Sequence, residues 1–135
     1  MSDKTNVLPN NLEAEQALLA SMLIDNDVLS EVVDKLSDRD FYQESHQLIM
    51  GAILKIFNQR RPTDLVTLTD CLEKEGNLAK VGGIDYITDL MQKAPSAANY
   101  RYYFDIVKRD STNRELIRAA RNIIENSMNS TDGTQ

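Results

Sequence analysis

The segment ANYRYYFDIVKRDSTNRELIRAARNIIENS, residues 98–127, decides the fold. It contains neither glycine nor proline, the two residues that most strongly interrupt a helix. Its apolar residues recur at helical spacing in two stripes, over 100–107 and 116–124, on either side of a polar run over 108–115. The pattern predicts one long helix whose first half packs on other helices and whose second half projects as an arm. A turn at Asp110–Asn113 is the alternative.

Five shorter helices are predicted before this segment, because apolar residues repeat at steps of three and four between polar turns. No segment alternates convincingly with a period of two. Residues 66–69 come nearest, but the cap before them and Gly76 after them favour a helix. The sequence therefore predicts an all-α fold, a compact bundle of about five short helices plus a long C-terminal helix. The predicted short helices cover about 11–24, 27–36 and 45–59, a fourth carries Leu65, Leu68, Cys71 and Leu72, and a fifth carries Ile84, Ile87, Leu90 and Met91.

Length and polarity divide the chain into four parts. Its 135 residues fit one compact domain with an extension. We expect a disordered N-terminus over 1–8 and a globular helical head over 9–98. The long helix follows over 99–128, and a flexible tail or the start of a linker over 129–135.

The acidic charge of the chain lies in the predicted head. Residues 1–98 hold 9 Lys and Arg against 16 Asp and Glu, a net charge of −7, whereas residues 99–135 hold 6 against 5. Neither part has the basic character that binds a phosphate backbone, so we expect little direct nucleic-acid binding and a partner protein instead. No stretch is typical of a signal peptide or of a membrane span, which needs about 20 apolar residues. We therefore expect a cytoplasmic protein without a membrane partner.

The sequence offers no catalytic, cofactor or metal site. Its five glycines never meet the spacing of a phosphate-binding loop, and a single cysteine and a single histidine exclude a Cys/His zinc site. His46, near Asp40 and Glu44 in sequence, could serve acid–base chemistry, but without a second histidine or a nucleophile a structural role is favoured. Cys71, on an apolar helix face, is interpreted as a buried thiol. Helix caps and turns explain Asp25, Asp27, Asp38 and Asp40 better than a cation site does.

Two groups on the long helix each allow two interpretations. Aromatic residues beside Arg101 could stack on nucleic-acid bases, but their helical period favours packing in the core. Three arginines form a modest basic stripe, interpreted as the solvated rim of a helix–helix interface, with partner docking as the sharper alternative. The aromatic residues are Tyr100, Tyr103 and Phe104, and the arginines are Arg114, Arg118 and Arg121.

Five motifs follow one another along the chain. They are Leu8-Pro9 with 11–19, Asp40-Phe41-Tyr42 with His46 and Ile49, residues 62–68, residues 82–87 with Leu90, and residues 95–99 with Tyr103, Ile106-Val107 and 114–117. In this order they resemble the N-terminal domain of the bacterial replicative DNA helicase of the DnaB type. The resemblance covers about residues 8–127.

The resemblance implies an architecture. In the family a helical head precedes a helical hairpin, whose first arm would be the long helix here. A linker then leads to a RecA-like motor that holds ATP and Mg²⁺ and drives 5′–3′ unwinding. This chain has no ATP site, so we expect a non-enzymatic fragment of an ATP-dependent DNA helicase.

The resemblance also implies partners. Such domains pair through their hairpins into dimers and form the collar of a hexameric ring. The collar binds the helicase-binding domain of primase and so couples unwinding with priming. A helicase loader or a clamp-loader subunit is a further candidate partner. The alternative is a stand-alone adaptor or loader that mimics the collar.

Family positions implicated in communication with primase carry over onto Glu13, Asp64, Tyr86, Ile117 and Ile123. Each has a simpler explanation. Glu13 and Asp64 could only cap helices, Tyr86 could only pack on the head, and the two isoleucines could serve only the dimer seam. Because an aromatic residue with flanking charge is typical of an interaction hot spot, we expect the set to bind a partner.

Overall fold

The computed structural model describes residues 7–133. These residues form six α-helices and a short 3-10 turn at Asp38–Asp40, so the fold is all-α as predicted. The predicted disordered terminus lies outside the described residues except for its last two positions. We call the region before α6 the head and residues 115–130 of α6 the arm. The helices are α1 Leu12–Ile24, α2 Asn26–Val32, α3 Glu44–Asn58, α4 Leu65–Lys74, α5 Gly83–Met91 and α6 Tyr100–Gly133.

Helix α1 lies at the centre of the head, where it packs against α2, α3, α5 and α6. Residues 17–23 are all buried, because this half of the helix is apolar or small on every side. Ser21 is the single polar residue of that run, and its hydroxyl donates to the Ala17 carbonyl at 2.8 Å. The long helix and α5 are thus held against one common surface.

Helix α2 is shorter than predicted. The sequence pattern placed it over 27–36, whereas it ends at Val32 and a turn follows. The Lys35 N–H donates to the Val32 carbonyl at 2.9 Å. This bond spans three residues, as in a 3-10 helix, and not the four of an α-helix. The turn brings Leu36 into the core, where it is buried.

Two helices end in the left-handed backbone conformation. Gly76, the residue predicted to end α4, has φ 75°, and the Asn77 N–H bonds to the Leu72 carbonyl at 2.8 Å. Arg60 adopts φ 59° after α3, although it is not a glycine. Both arrangements satisfy carbonyls that the last helical turn leaves open.

Helix α6 is continuous through 110–113, so the alternative turn does not form. Its inward face continues past the aromatic residues as Val107, Asp110, Ser111 and Arg114, all buried. Beyond Arg114 every described side chain of the arm is exposed except the half-buried Ile117. The helix extends to Gly133, where the sequence had placed a tail over 129–135, because nothing interrupts its backbone hydrogen bonding before that glycine. Residues 134–135 lie outside the described residues.

Candidate functional site

Glu13 lies exposed in the first turn of α1. The cap of this helix is Asn11, whose side chain accepts from the Ala14 N–H at 2.9 Å. The Glu13 carboxylate makes no capping bond and no ion pair with any residue between 7 and 133 that the structure describes. The capping explanation for Glu13 is therefore wrong, and its carboxylate faces solvent.

Asp64 is engaged in capping α4. Its carboxylate accepts from the Thr67 N–H at 2.9 Å, and its own N–H donates to the Thr67 hydroxyl at 2.9 Å. The hydrogen bond from the Thr67 N–H lowers the pKa of the Asp64 carboxyl below its ordinary value. The structural explanation of Asp64 thus has direct support, although the residue is also exposed.

Tyr86 is half-buried, with its hydroxyl directed into the head. That hydroxyl lies 2.7 Å from His46 Nε2 and accepts from Gln16 Nε2 at 3.3 Å. Gln16 stands three residues after Glu13 on α1, so the two lie on neighbouring parts of one helix face. Of the five predicted residues, Glu13 and Tyr86 are the pair that the structure links through a shared neighbour.

Tyr86 depends on Gly82 for space. Gly82 has φ 106°, and a Cβ added there would lie 2.8 Å from the Tyr86 Cβ. The glycine therefore supplies both the left-handed start of α5 and the room for the aromatic side chain.

A buried hydrogen-bond chain lies behind Tyr86. His46 Nδ1 lies 2.7 Å from Glu15 Oε1, and both side chains are at most 2% exposed. Glu15 Oε2 accepts from the Tyr42 N–H at 2.6 Å, next to the start of α3, whose N-cap residue makes no side-chain capping bond. With a neutral imidazole, Nδ1–H donates to Glu15 and Nε2 accepts from Tyr86.

The carboxylate that orients His46 belongs to Glu15, 31 residues away in sequence, and not to Asp40 or Glu44, which lie near His46 in the sequence. The Glu–His–Tyr order resembles a proton relay. Its burial keeps a substrate from reaching His46 and supports the structural interpretation. The sequence does contain one sign of this contact, because Glu15 is a charged residue on the apolar side of α1.

The arm carries the two remaining predicted residues. Ile117 is half-buried, and Ile123 is 66% exposed. An apolar stripe at steps of three and four covers one face of the arm, and its described members beyond Ile117 are exposed. The exposed members of the stripe are Leu116, Ile123, Ile124 and Met128. Such a stripe is typical of a helix that packs on another helix.

Arg114 is not part of a solvated rim. It is 2% exposed, and its guanidinium donates to the Pro9 and Asp40 carbonyls, each at 2.8 Å. It also lies over the Tyr42 ring at 5.5 Å from the centroid. The predicted basic stripe is therefore reduced to Arg118 and Arg121, which are exposed.

The Asp40 side chain also binds α6 close to Arg114. We call the contacts that Asp40, Pro9 and Arg114 make here the junction. Its carboxylate accepts from the Ser37 N–H at 2.8 Å and from the Ser111 hydroxyl at 2.8 Å, and it pairs with Lys108 at 3.3 Å. The polar run over 108–115 is thus the part of α6 that fixes the helix to the 3-10 turn. The sequence gives no local sign of this contact, because a polar run between two apolar stripes is also typical of a solvent-exposed segment.

The remaining residues considered in the sequence analysis have structural roles. Cys71 is buried, and burial raises the pKa of its thiol, which lowers the thiolate fraction. Asp25 caps α2 by accepting from the Asp27 N–H at 2.9 Å. The aromatic residues at the start of α6 pack against the core, as the core-packing interpretation predicted. Within residues 7–133 no group of His, Cys, Asp or Glu could hold a metal ion.

Comparison with known proteins gives one consistent result. Residues 7–109 match the family described as DnaB-like helicase N terminal domain. The chain is 42% identical over 117 residues, 87% of its length, to the replicative DNA helicase DnaC of Bacillus subtilis (strain 168). It spans about a quarter of the length of the curated relatives it matches, 26% in that case.

Solved structures agree with this match. The N-terminal domain of DnaB helicase from Mycobacterium tuberculosis superposes with a TM-score of 0.89 at 32% identity, covering 93% of this chain and 90% of that one. A DnaB-like replicative helicase, described together with its interactions with primase, superposes with a TM-score of 0.78 at 25% identity and covers 86% of this chain and 27% of that one. These likenesses confirm the predicted all-α fold with its long C-terminal helix. Among residues 7–133, each helix is either too short or too polar to serve as a membrane span.

Proposed function

The chain belongs to the DnaB-like helicase N terminal domain family, and on that premise we propose that it is the protein-interaction collar domain of a hexameric replicative helicase. Its task is to support ring assembly and to bind the helicase-binding domain of primase, which couples unwinding to priming. ATP, Mg²⁺ and 5′–3′ unwinding belong to a motor domain of the parent protein. The site of action is the cytoplasm, where replication takes place.

The exposed arm is the observation that carries this proposal. Leu116, Ile123 and Ile124 are each about 60% exposed on one face of a helix that has left the head. An isolated amphipathic helix gains little from its apolar face until another surface covers it. A second copy of this chain and a partner domain are the two surfaces that a collar provides.

The head supplies the second support. Glu13 is exposed in the first turn of α1, and Gln16, three residues later, donates to the hydroxyl of the half-buried Tyr86; neither Glu13 nor Tyr86 caps a helix. An exposed acid beside an aromatic residue suits a protein partner better than nucleic acid, since the head is acidic overall. Primase is the partner named for a related helicase of the same fold.

A titration with the isolated helicase-binding domain of primase tests the proposal. We expect a saturable isotherm with the 135-residue chain, and light scattering should show the mass of this chain alone rising with concentration as arms pair. Ile123→Asp should weaken both, because it places a charge in the apolar stripe. The matched control is Asn122→Asp, which adds the same charge at the neighbouring exposed position and should leave both unchanged. Wild-type chain that neither binds primase nor self-associates would refute the proposal.

A further inference from the structure

One buried carboxylate oxygen next to the junction has no hydrogen-bond partner. It belongs to Asp110, which lies on the inward face of α6 and is 5% exposed. Asp110 Oδ1 accepts from Arg109 Nε at 3.2 Å, whereas the enclosed Oδ2 makes no hydrogen bond within the described part of the chain. A buried carboxylate oxygen without a donor is costly, because it has lost contact with water and has no protein group in exchange. The fold thus keeps an unused charged acceptor on α6.

A suitable donor lies one helical turn away. Arg114 follows Asp110 by four residues, so the two buried side chains lie on the same face of α6. An aspartate followed by an arginine at this spacing is a common ion pair within helices. Here the pair is not made. Asp110 pairs with the exposed Arg109, and the Arg114 guanidinium donates to the carbonyls of Pro9 and Asp40.

The guanidinium therefore has two alternative sets of acceptors. The observed set satisfies two backbone carbonyls and places the cation over the Tyr42 ring, but it leaves Asp110 Oδ2 unpaired. A bidentate ion pair with Asp110 would satisfy the carboxylate, and hydrogen bonds between two charged groups are stronger than those to neutral carbonyls. The two carbonyls would then lose their donor. Each set leaves open what the other satisfies, so their free energies lie close together.

The rest of the junction does not depend on this choice. The Asp40 carboxylate accepts from the Ser111 hydroxyl at 2.8 Å and pairs with Lys108 at 3.3 Å, without any contribution from Arg114. These bonds hold α6 to the head as far as Ser111. A change of acceptor at Arg114 would thus free only the part of α6 that continues into the arm.

We propose that Asp110 and Arg114 form a latch with two settings. In the first, which the structure shows, the guanidinium ties α6 to Pro9 and to the backbone of Asp40. In the second, it binds the Asp110 carboxylate within α6, and only Lys108 and Ser111 still attach the helix at the junction. A surface that covers the arm then selects one of the two settings. This latch is a property of the chain alone and goes beyond the proposed function, so it requires neither primase nor a second copy.

Relaxation-dispersion NMR of isoleucine methyl groups tests the latch in the 135-residue chain. Ile117 is half-buried just beyond the junction, and Ile123 is exposed further along the arm, so both report the position of the arm. We expect exchange on the microsecond-to-millisecond timescale with a minor setting populated to about 5%. Because the latch lies within one chain, the exchange should not change when the chain is diluted.

Two substitutions should move the populations in opposite directions. Asp110→Asn replaces the charged acceptor with a neutral one, so the population of the second setting should fall about tenfold. Arg114→Lys keeps the positive charge but lacks the planar fork that bridges two carbonyls, so this population should rise about threefold. The control is Asp105→Asn, which removes an equal charge from an exposed position of α6 and should leave the exchange unchanged.

Several results would overturn the latch. These are a wild-type chain without exchange, exchange that grows with chain concentration and so reports pairing of arms, and exchange that Asp110→Asn leaves unaltered, which would make Asp110 a static counter-ion of Arg114. If Asp110→Asn does not fold, Arg114→Lys decides, since a minor population that fails to rise contradicts the second setting. Binding of primase is measured separately, so loss of the latch would leave the proposed function standing.

Discussion

Replacing Arg114 with methionine removes a buried cation at the point where α6 leaves the head. The guanidinium bridges two segments that are otherwise distant in sequence, through the carbonyls of Pro9 and Asp40. Methionine fills much of the same space but donates no hydrogen bond. Both carbonyls would then lose a charged donor at 2.8 Å.

The expected loss in the free energy of unfolding follows from these contacts. Each hydrogen bond from a charged group contributes about 1.5–3 kcal/mol, and stacking over Tyr42 adds about 0.5–1 kcal/mol. Removal of a buried, desolvated cation offsets part of this loss. We expect the free energy of unfolding to fall by about 3 kcal/mol, which lowers the melting temperature by about 10 °C in a domain of this size.

Urea and thermal unfolding followed by circular dichroism measure the change. Arg118→Met, one turn further along the same helix but exposed, is the control and should shift stability by less than about 0.5 kcal/mol. In Arg114→Met, hydrogen exchange should show that the backbone amides of residues 108–114 lose the most protection. Equal stabilities for the two variants would refute the assignment of Arg114 as the anchor of α6.

Three further perturbations have defined outcomes. Glu15→Gln should lower the free energy of unfolding by about 2–4 kcal/mol in a urea titration, since the buried His46 and the Tyr42 N–H lose a carboxylate partner; an unchanged midpoint would contradict the buried chain. Arg60→Gly should raise the melting temperature by an amount equivalent to about 1 kcal/mol, because glycine adopts φ 59° without strain, and no gain would mean that the arginine is unstrained there. Asp64 has a lowered pKa in the folded chain, so its contribution to stability is present above about pH 4 and is lost as the pH falls through the folded pKa. The stability advantage of wild type over Asp64→Asn should therefore shrink below about pH 4, and a pH-independent difference would contradict it.

Local signals made much of the fold predictable. The apolar stripe at 100–107 and the absence of glycine and proline gave α6, and Asp64 with Gly76 delimited α4. Both are effects of neighbours within one or two helical turns. Such local effects can be predicted from the spacing of residues along the chain.

The contacts of the junction were harder to predict because they connect residues far apart in sequence. Arg114 continues the inward spacing of Val107 and Asp110, yet its polarity led to an expectation of solvent exposure. The approach of Pro9 and Asp40 in three dimensions supplies the two carbonyl acceptors that make burial of the guanidinium tolerable. Glu15 was missed for the same reason, since its partners begin 27 residues later.

The candidate site divides in the same way. Glu13 and Ile123 could be placed on exposed faces from helical spacing and from the resemblance. That Tyr86 shares its hydroxyl with His46 and Gln16 could not be deduced, because three separate helices provide those atoms.

The junction at Arg114 also makes the arm a lever. The arm comprises residues 115–130 and is about 24 Å long at 1.5 Å per residue, with almost no side-chain support after its first turn. A tilt of about 10° at the junction would therefore move its tip by about 4 Å. At the junction, Arg114 is held by the carbonyl of Pro9, just before α1, and the carbonyl of Asp40, just before α3. A force applied at the tip would thus be transmitted to the starts of two core helices, and a change at either start would be magnified at the tip.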